Sequence, residues 1–497
     1  MSCLDGHFSF IVVARDFAVL AVDRTRSIPV LLAERDGTYV IADHAAPLLK
    51  ALDMGTGDID GEAARDFAMA GYVVGNGTLY RNIRSMQPGE IALIRRNGKL
   101  EIFRHASYHP WLAKTVIGDE GAWRKKLAEI TLGIIEKMMI SVSGRQILLP
   151  LSAGLDSRLI VSALKHLGAR DVVCFSYGRA GNHEADTARQ VAEKIGFQWH
   201  FIPCTPGLVR QKRAEEDFSR FLSLSDNLVS TPVEQDVSVV MSLRDQPWAD
   251  KNAVIVNGQS GDYISGAHIP PMLAASLPMD REAREAVIFS AIHTKHLGLW
   301  PGLKTSENLS RVKARLWAEL EEEGAPLDVP ELAFSIYEFS EFRNRQCKYV
   351  LGNQRGYEVF GRDWRLPLWD GDYLDFWQEA PLPLKFGQRL YREMLVEANW
   401  GGVWNTLVPA PCWITPAWIR PLRYCAMAAC APFGKNAWHR LETRLFNPLT
   451  DIVCTYAAVP YWKVVTGPAH RNAISWLTAQ HLERHGLPWN GGRDGRA

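Results

Sequence analysis

Ile147-Leu-Leu-Pro-Leu-Ser-Ala-Gly-Leu-Asp-Ser-Arg-Leu-Ile160 runs from an apolar stretch through a turn of small residues into the start of an amphipathic helix. This order describes a strand-loop-helix phosphate cradle. N–H groups at a helix N-terminus bind anions, Gly154 admits close backbone approach, and the hydroxyls of Ser152 and Ser157 add donors without bulk. Asp156 would repel phosphate, and it makes sense where it holds the magnesium ion that accompanies a nucleotide. The Gly-Lys-Ser/Thr ending of a Walker loop is absent. The plainer alternative is a helix N-cap in a serine-rich turn. Outward from this stretch, the chain from about residue 116 alternates helices with short apolar strands, the pattern of a parallel sheet covered on both faces. Asp156–Leu167 sets Leu159, Ile160, Ala163, Leu164 and Leu167 on one helical face, and Gly168 stops it. Strand Asp171–Ser176, helix Glu184–Gly196 and strand Trp199–Pro203 follow.

Composition sets outer bounds. At 497 residues the chain holds two or three domains at about 150 residues each. Lys+Arg 56 against Asp+Glu 55 leaves a net charge of +1, which predicts neither a nucleic-acid nor a membrane partner. Eight dispersed cysteines without a Cys-x-x-Cys pair imply neither a zinc ribbon nor a disulfide framework. No leader-like start or long uncharged apolar run is visible, so a soluble, cytoplasmic chain is expected. Tyr424-Cys-Ala-Met-Ala-Ala-Cys-Ala-Pro-Phe433 is too short to span a bilayer and reads as a packed helix. The 17 tryptophans read as core.

The first hundred residues read as short strands: Phe8–Val13, Phe17–Val22, Val30–Leu32, Tyr39–Ile41, then Glu90–Arg95 and Leu100–Phe103 around a turn at Asn97-Gly98.

Taken together, several motifs resemble the asparagine-synthetase superfamily, whose members split ATP to AMP and pyrophosphate. Ser152-Ala-Gly-Leu-Asp-Ser157 is similar to its Ser-x-Gly-x-Asp-Ser pyrophosphate loop, and Glu184-Ala-Asp-Thr-Ala-Arg-Gln-Val-Ala192 to its Glu-x-x-x-Ala-x-x-Val-Ala helix. Gly258-Gln-Ser-Gly-Asp-Tyr-Ile-Ser-Gly266 resembles its Gly-Asp-Gly-x-Asp-Glu-x-x-Gly, and Gly361-Arg-Asp-Trp-Arg-Leu-Pro-Leu-Trp-Asp370 its Gly-x-Glu-x-Arg-x-Pro-Phe-Leu-Asp. Gly71–Tyr80, Met86–Glu90 and Ala21–Pro29 resemble parts of the glutaminase domain that precedes the synthetase. The resemblance implies an α/β fold: a shortened, Ntn-hydrolase-like sheet domain over 1–115, then a PP-loop domain of the adenine nucleotide alpha hydrolase type over 116–497. That glutaminase uses an N-terminal cysteine. Here Cys3 follows Ser2, so the first domain is expected to be silent.

The same resemblance implies ATP and Mg2+ as cofactors. Leu151, Ser152, Gly154, Asp156, Ser157, Ser176, Tyr177, Gly258, Gln259, Ser260 and Gly261 would hold the nucleotide, and Asp156 and Asp262 the metal. Gln259 stands where asparagine synthetases carry an acid and β-lactam synthetases a tyrosine, and Asp363 replaces a glutamate. Arg365 is expected to lie buried between carboxylates on the domain floor. For catalysis the resemblance implies Glu338, then Glu341, to deprotonate the amine or position the carboxylate. A late lysine, drawn from Lys385, Lys435 and Lys463 with Lys435 preferred, would stabilise developing charge. The expected reaction joins a small-molecule, sugar or peptide carboxylate to ammonia or an amine from a separate source, through an acyl-adenylate. Intramolecular amide closure of the β-lactam or lasso-peptide type, and an idle nucleotide-binding scaffold, are the alternatives. A homodimer is compatible with the sequence and not required by it.

Overall fold

A computed structural model describes residues 4–114, 118–275, 277–278, 280–352, 354–405 and 412–489. Ser2, Cys3 and the junction at 115/116 lie outside the described residues. The N-terminal segment forms strands β1 (Ser9–Val13), β2 (Phe17–Val22), β3 (Leu31–Arg35), β4 (Thr38–Ala42), β5 (Ile83–Ser85), β6 (Glu90–Arg95) and β7 (Leu100–Arg104). They build two antiparallel sheets, β1-β2-β6-β7 and β4-β3-β5. The β6–β7 turn has the chemistry its Asn-Gly pair announces: Gly98 takes φ +81°, and the Lys99 N–H donates to Asn97 Oδ1 at 3.1 Å. Leu20, Val22, Val30, Leu32, Met86, Ala92 and Ile94 fill the small core beneath the first sheet.

The second part is a five-stranded sheet of β8 (Ile147–Pro150), β9 (Val172–Gly178), β10 (Gln198–Pro203), β11 (Val254–Val256) and β12 (Asp363–Arg365). Every pairing is parallel, and the spatial order is β10-β9-β8-β11-β12. The central strands β8, β9 and β11 are buried almost throughout, as a sheet covered on both faces requires. From β8 the chain crosses by helix Leu155–His166 to β9 and by helix His183–Ile195 to β10, then returns to pair β11 on the other side of β8. That reversal makes β8/β11 a switch point, where two carboxyl strand ends open onto a crevice. Helix His183–Ile195 begins at Asn182, whose Oδ1 accepts the Ala185 N–H at 2.9 Å, and ends at Gly196 with φ +83°.

The second antiparallel sheet does not have a core of its own. Leu31, Ala33, Phe67, Tyr72 and Ile83 belong to one apolar cluster with Trp300, Phe334, Tyr337 and Trp476. Buried Lys348 crosses the same contact, donating to Val73 O at 2.9 Å and Gly75 O at 2.6 Å.

Three expectations change. Arg365 is not flanked by carboxylates: it donates to Ser141 Oγ at 2.8 Å and Ser141 O at 3.1 Å, while Asp363 pairs with Arg145 at 2.6 Å. The helix expected over Leu332–Val350 is α-helical only over Ala333–Ser340 and continues as a π-helical run, Glu341–Leu351. Helix Arg420–Cys430 packs on helix Lys435–Leu441 but is not enclosed, since none of its residues is buried. Among the described residues no helix is long and apolar enough to cross a membrane.

Candidate active site

The loop after β8 is held by its own hydroxyls. The Ser152 N–H donates to Ser157 Oγ at 3.2 Å, and the Gly154 N–H to Ser152 Oγ at 3.1 Å. No side chain caps helix Leu155–His166 at Gly154, so the N-cap of the plainer alternative is not formed there. Gly154 itself takes an ordinary φ of −67°.

The turn after β11 lies directly against this loop. A Cβ on Gly258 would fall 2.8 Å from Ser157 N, and one on Gly261 would fall 2.6 Å from Asp156 Cγ. Gly258 is needed for the close approach of two backbones, and Gly261 for the close approach of the turn to the Asp156 and Leu368 side chains. Between these glycines Ser260 takes the left-handed φ of +65°, and its Oγ donates to Gln346 Oε1 at 2.9 Å.

The two loops and the ends of β8, β9 and β11 enclose a cavity of about 390 Å³. Leu151, Ser152, Gly154, Asp156, Ser157, Ser176, Tyr177, Gly258, Gln259, Ser260 and Asp262 all line it. Gly261 stands behind the wall, against Asp156. The Ser176 hydroxyl is already engaged, donating to Leu151 O at 2.6 Å and accepting from Trp199 Nε1 at 2.9 Å.

Asp156 and Asp262 converge. Asp156 Oδ2 accepts the Asp262 N–H at 2.8 Å, and its Oδ1 accepts the Tyr391 hydroxyl at 3.0 Å. Burial, with Asp262 beside it, pushes the Asp156 carboxyl up to about 7. Asp262 is held below the usual carboxylate range: burial would raise it, but the bond to His268 and the charge on that ring outweigh burial. Two carboxylates pressed together beside a phosphate cradle form the oxygen donor set that suits a hard divalent cation such as magnesium.

The catalytic candidates lie behind this cavity, not on its wall. Glu341 is fully buried in the π-helical run; its Oε1 meets His268 Nδ1 at 2.6 Å, and His268 Nε2 reaches Asp262 Oδ2 at 3.2 Å. His296 and Lys295 complete the cage at 3.3 Å and 3.5 Å. Glu338 is buried with Lys385, Oε2 to Nζ 2.8 Å. Lys435 is exposed at the start of helix Lys435–Leu441, off the cavity wall; the lysine brought to a candidate glutamate is Lys385.

Sequence reading passed over Asp236, Asn257 and Tyr357, which line the cavity, and Tyr391 and His268, which hold its carboxylates. The Tyr357 hydroxyl donates to Asp236 Oδ2 at 2.8 Å and accepts from Asn257 Nδ2 at 3.2 Å. The one available signal was Asn257, adjacent to the glycine turn; the others come from segments far apart in the chain. A second cavity of about 180 Å³ adjoins the first and shares Tyr177, Asp236, Asn257, Gln259 and Tyr357 with it. Gln354 reaches into this junction and donates from Nε2 to Gln259 Oε1.

A family model described as asparagine synthase matches residues 138–399, the span holding β8 to β12 and both loops. A curated relative, the probable glutamine-hydrolyzing asparagine synthetase of Acanthamoeba polyphaga mimivirus, is 46% identical over 134 residues. That match covers 25% of this chain and 22% of the relative, so most of the relative's length is not spanned.

Proposed function

This chain belongs to the asparagine synthase family, and we propose that it forms an amide bond by activating a small-molecule or sugar carboxylate with ATP, releasing AMP and pyrophosphate through an acyl-adenylate. The observation that carries this reading is the single cavity that gathers the Ser152–Ser157 loop, the end of β9 and the Gly258–Asp262 turn. In this reading the loop N–H groups and the Ser152 and Ser157 hydroxyls hold the β- and γ-phosphates as leaving group. The α-phosphorus then faces the β11 turn. A substrate carboxylate oxygen bonds to it as the bond to the β-phosphate oxygen breaks; an amine then displaces AMP and yields the amide. Asp156 and Asp262 would hold magnesium, which when bound neutralises charge on the departing pyrophosphate.

The smaller cavity supports a place for the acceptor. Its carboxamides Gln235, Gln259 and Gln354 and its rings Phe221, Tyr357 and Phe360 suit a hydroxylated or amide-bearing body of about monosaccharide size. The nitrogen reaches the site as ammonia or as a free amine, and the 1–115 segment serves in this proposal as a silent glutaminase-like domain.

The test is AMP and pyrophosphate release from purified protein with magnesium-ATP across a panel of carboxylates, with ammonium and glutamine supplied in parallel. Carboxylate-dependent AMP, driven by ammonium and lost in Asp156→Ala, is the expected result. ATP binding without AMP under any pairing would turn the reading to a nucleotide-binding scaffold.

A further inference from the structure

The segment between Ala417 and Phe446 folds as a helical hairpin that leaves its apolar side open. Helix Arg420–Cys430, the turn Ala431–Phe433 and helix Lys435–Leu441 contain no buried residue. Trp418 is 63% exposed and Phe433 77%, with Leu422, Tyr424 and Met427 exposed beside them. From Tyr424 to Gly434 the chain carries no charge, and Arg423 and Lys435 bracket that run. Trp462 is exposed on helix Tyr461–Thr466, which packs on the base of the hairpin. Exposed apolar residues are ordinary when scattered singly, whereas here Trp418, Leu422, Tyr424, Met427 and Phe433 all stand exposed on one hairpin.

The charge around this surface decides what it meets. Residues 412–450 hold five cations, Arg420, Arg423, Lys435, Arg440 and Arg444, against one carboxylate, Glu442, in a chain whose net charge is +1. Arg423 takes that carboxylate, and among the described residues none of the other four cations forms an ion pair. A second copy related by a two-fold axis would set these cations against each other with no acid to offset them. An anionic phospholipid surface meets both requirements: headgroups for the cations, and an acyl boundary for the Trp, Tyr, Phe, Leu and Met side chains. We propose that the 417–446 hairpin is a peripheral docking surface for an anionic membrane. Neither the chain's net charge of +1 nor the lack, among the described residues, of a helix long and apolar enough to cross a membrane bears on a local basic, aromatic hairpin of this kind.

Co-sedimentation of the full chain with vesicles tests it. The protein should pellet with equal parts phosphatidylcholine and phosphatidylglycerol, stay in solution with phosphatidylcholine alone, and be released as salt rises. Lys435→Ala with Arg440→Ala should lower the partition into mixed vesicles by roughly 30-fold, at one lost headgroup attraction per cation. Trp418→Ser with Phe433→Ser should abolish pelleting with an unchanged thermal unfolding curve, because both side chains stand in solvent. Failure to pellet with mixed vesicles, or equal pelleting by both double variants, would overturn the proposal. So would a dimer in light scattering that Trp418→Ser with Phe433→Ser dissolves, since the surface would then belong to a second copy.

Discussion

Gly258 is the residue on which the joining of the two loops depends. With no Cβ it lets the β11 turn touch the backbone at Asp156 and Ser157, where any side chain would meet Ser157 N at 2.8 Å. Gly258→Ala must therefore move one loop off the other. The expected cost is about 1–3 kcal/mol of overpacking, concentrated at the cavity. Magnesium-ATP affinity measured by calorimetry should fall at least about tenfold for a displacement of that size, with the circular dichroism spectrum unchanged. Asp156 makes the opposite kind of contribution. Its carboxylate is buried beside Asp262, so in the metal-free protein the charge is a liability. Asp156→Asn should raise the melting temperature in chelator while abolishing magnesium-dependent ATP turnover. A lower melting temperature in chelator would show that the carboxylate serves the fold rather than the ligand.

At the scale of elements, the α-to-π passage at Ser340–Glu341 presents Glu338 and Glu341 on different sides of the cavity's back wall, one toward Lys385 and the other toward His268. π-helical turns are rare and are kept where a side chain must be re-aimed. Buried Lys385 has Glu338 as its ion-pair partner, and breaking one side of a buried pair costs about 3–5 kcal/mol. Lys385→Met should lower urea stability by that amount, and adding Glu338→Leu should restore most of it. Recovery of turnover in the double variant would mark the pair as structural; stability without turnover would leave Glu338 a role in the chemistry. These elements also show where sequence reading reaches and where it stops. The succession β8, helix, β9, helix, β10 was legible because hydrophobic period switches cleanly from strand to helix and glycines stand at the stops. Part of the cavity wall was legible too, because Leu151–Ser157 and Gly258–Asp262 are short contiguous motifs, whereas Asp236 and Tyr357 reach the wall from distant segments. The π-helical run was not legible, because its residues carry the same helical pattern as their neighbours. Lys385 was passed over for Lys435, because residue identity alone says nothing about which lysine packs on a helix 47 positions upstream. The Arg420–Cys430 helix was read as packed, and it does pack on helix Lys435–Leu441, but apolar composition does not say how far a packed helix is covered.

Across the whole molecule, the last helix, Ala473–Arg484, is fastened to the rest by a clasp of side chains from three distant segments. Asp226 Oδ2 lies 3.0 Å from His485 Nε2 and its Oδ1 lies 3.7 Å from His481 Nε2, while the Tyr80 hydroxyl meets His485 Nδ1 at 3.1 Å. Two histidines and a carboxylate at this spacing have the composition of a metal site. The tautomer argues otherwise: Arg484 Nη2 can only donate, and it does so to His481 Nδ1 at 2.9 Å, which puts the ring proton on Nε2 and leaves no lone pair facing Asp226. The clasp is therefore a proton-dependent fastening. Burial pushes His481 down to about 3, against the partial lift from Asp226, so the folded protein refuses a proton that the unfolded chain takes near its ordinary value of 6.5. Stability from this group is complete above pH 6.5 and is lost progressively as pH falls toward 3. Asp226 is also held low, to about 2: burial would raise it, but the neighbouring imidazoles of His481 and His485 prevail, and its contribution is lost only in stronger acid. His481→Gln keeps an acceptor for Arg484 and removes the titration. Urea unfolding across the pH range should show the variant's stability falling less steeply below pH 6.5, by up to one proton's worth, about 1.4 kcal/mol per pH unit. An unchanged slope would mean that His481 does not titrate on unfolding and that the clasp is held by shape alone. Stabilisation of the wild type by added zinc, absent in His481→Gln, would show that a metal can displace Arg484 from the ring.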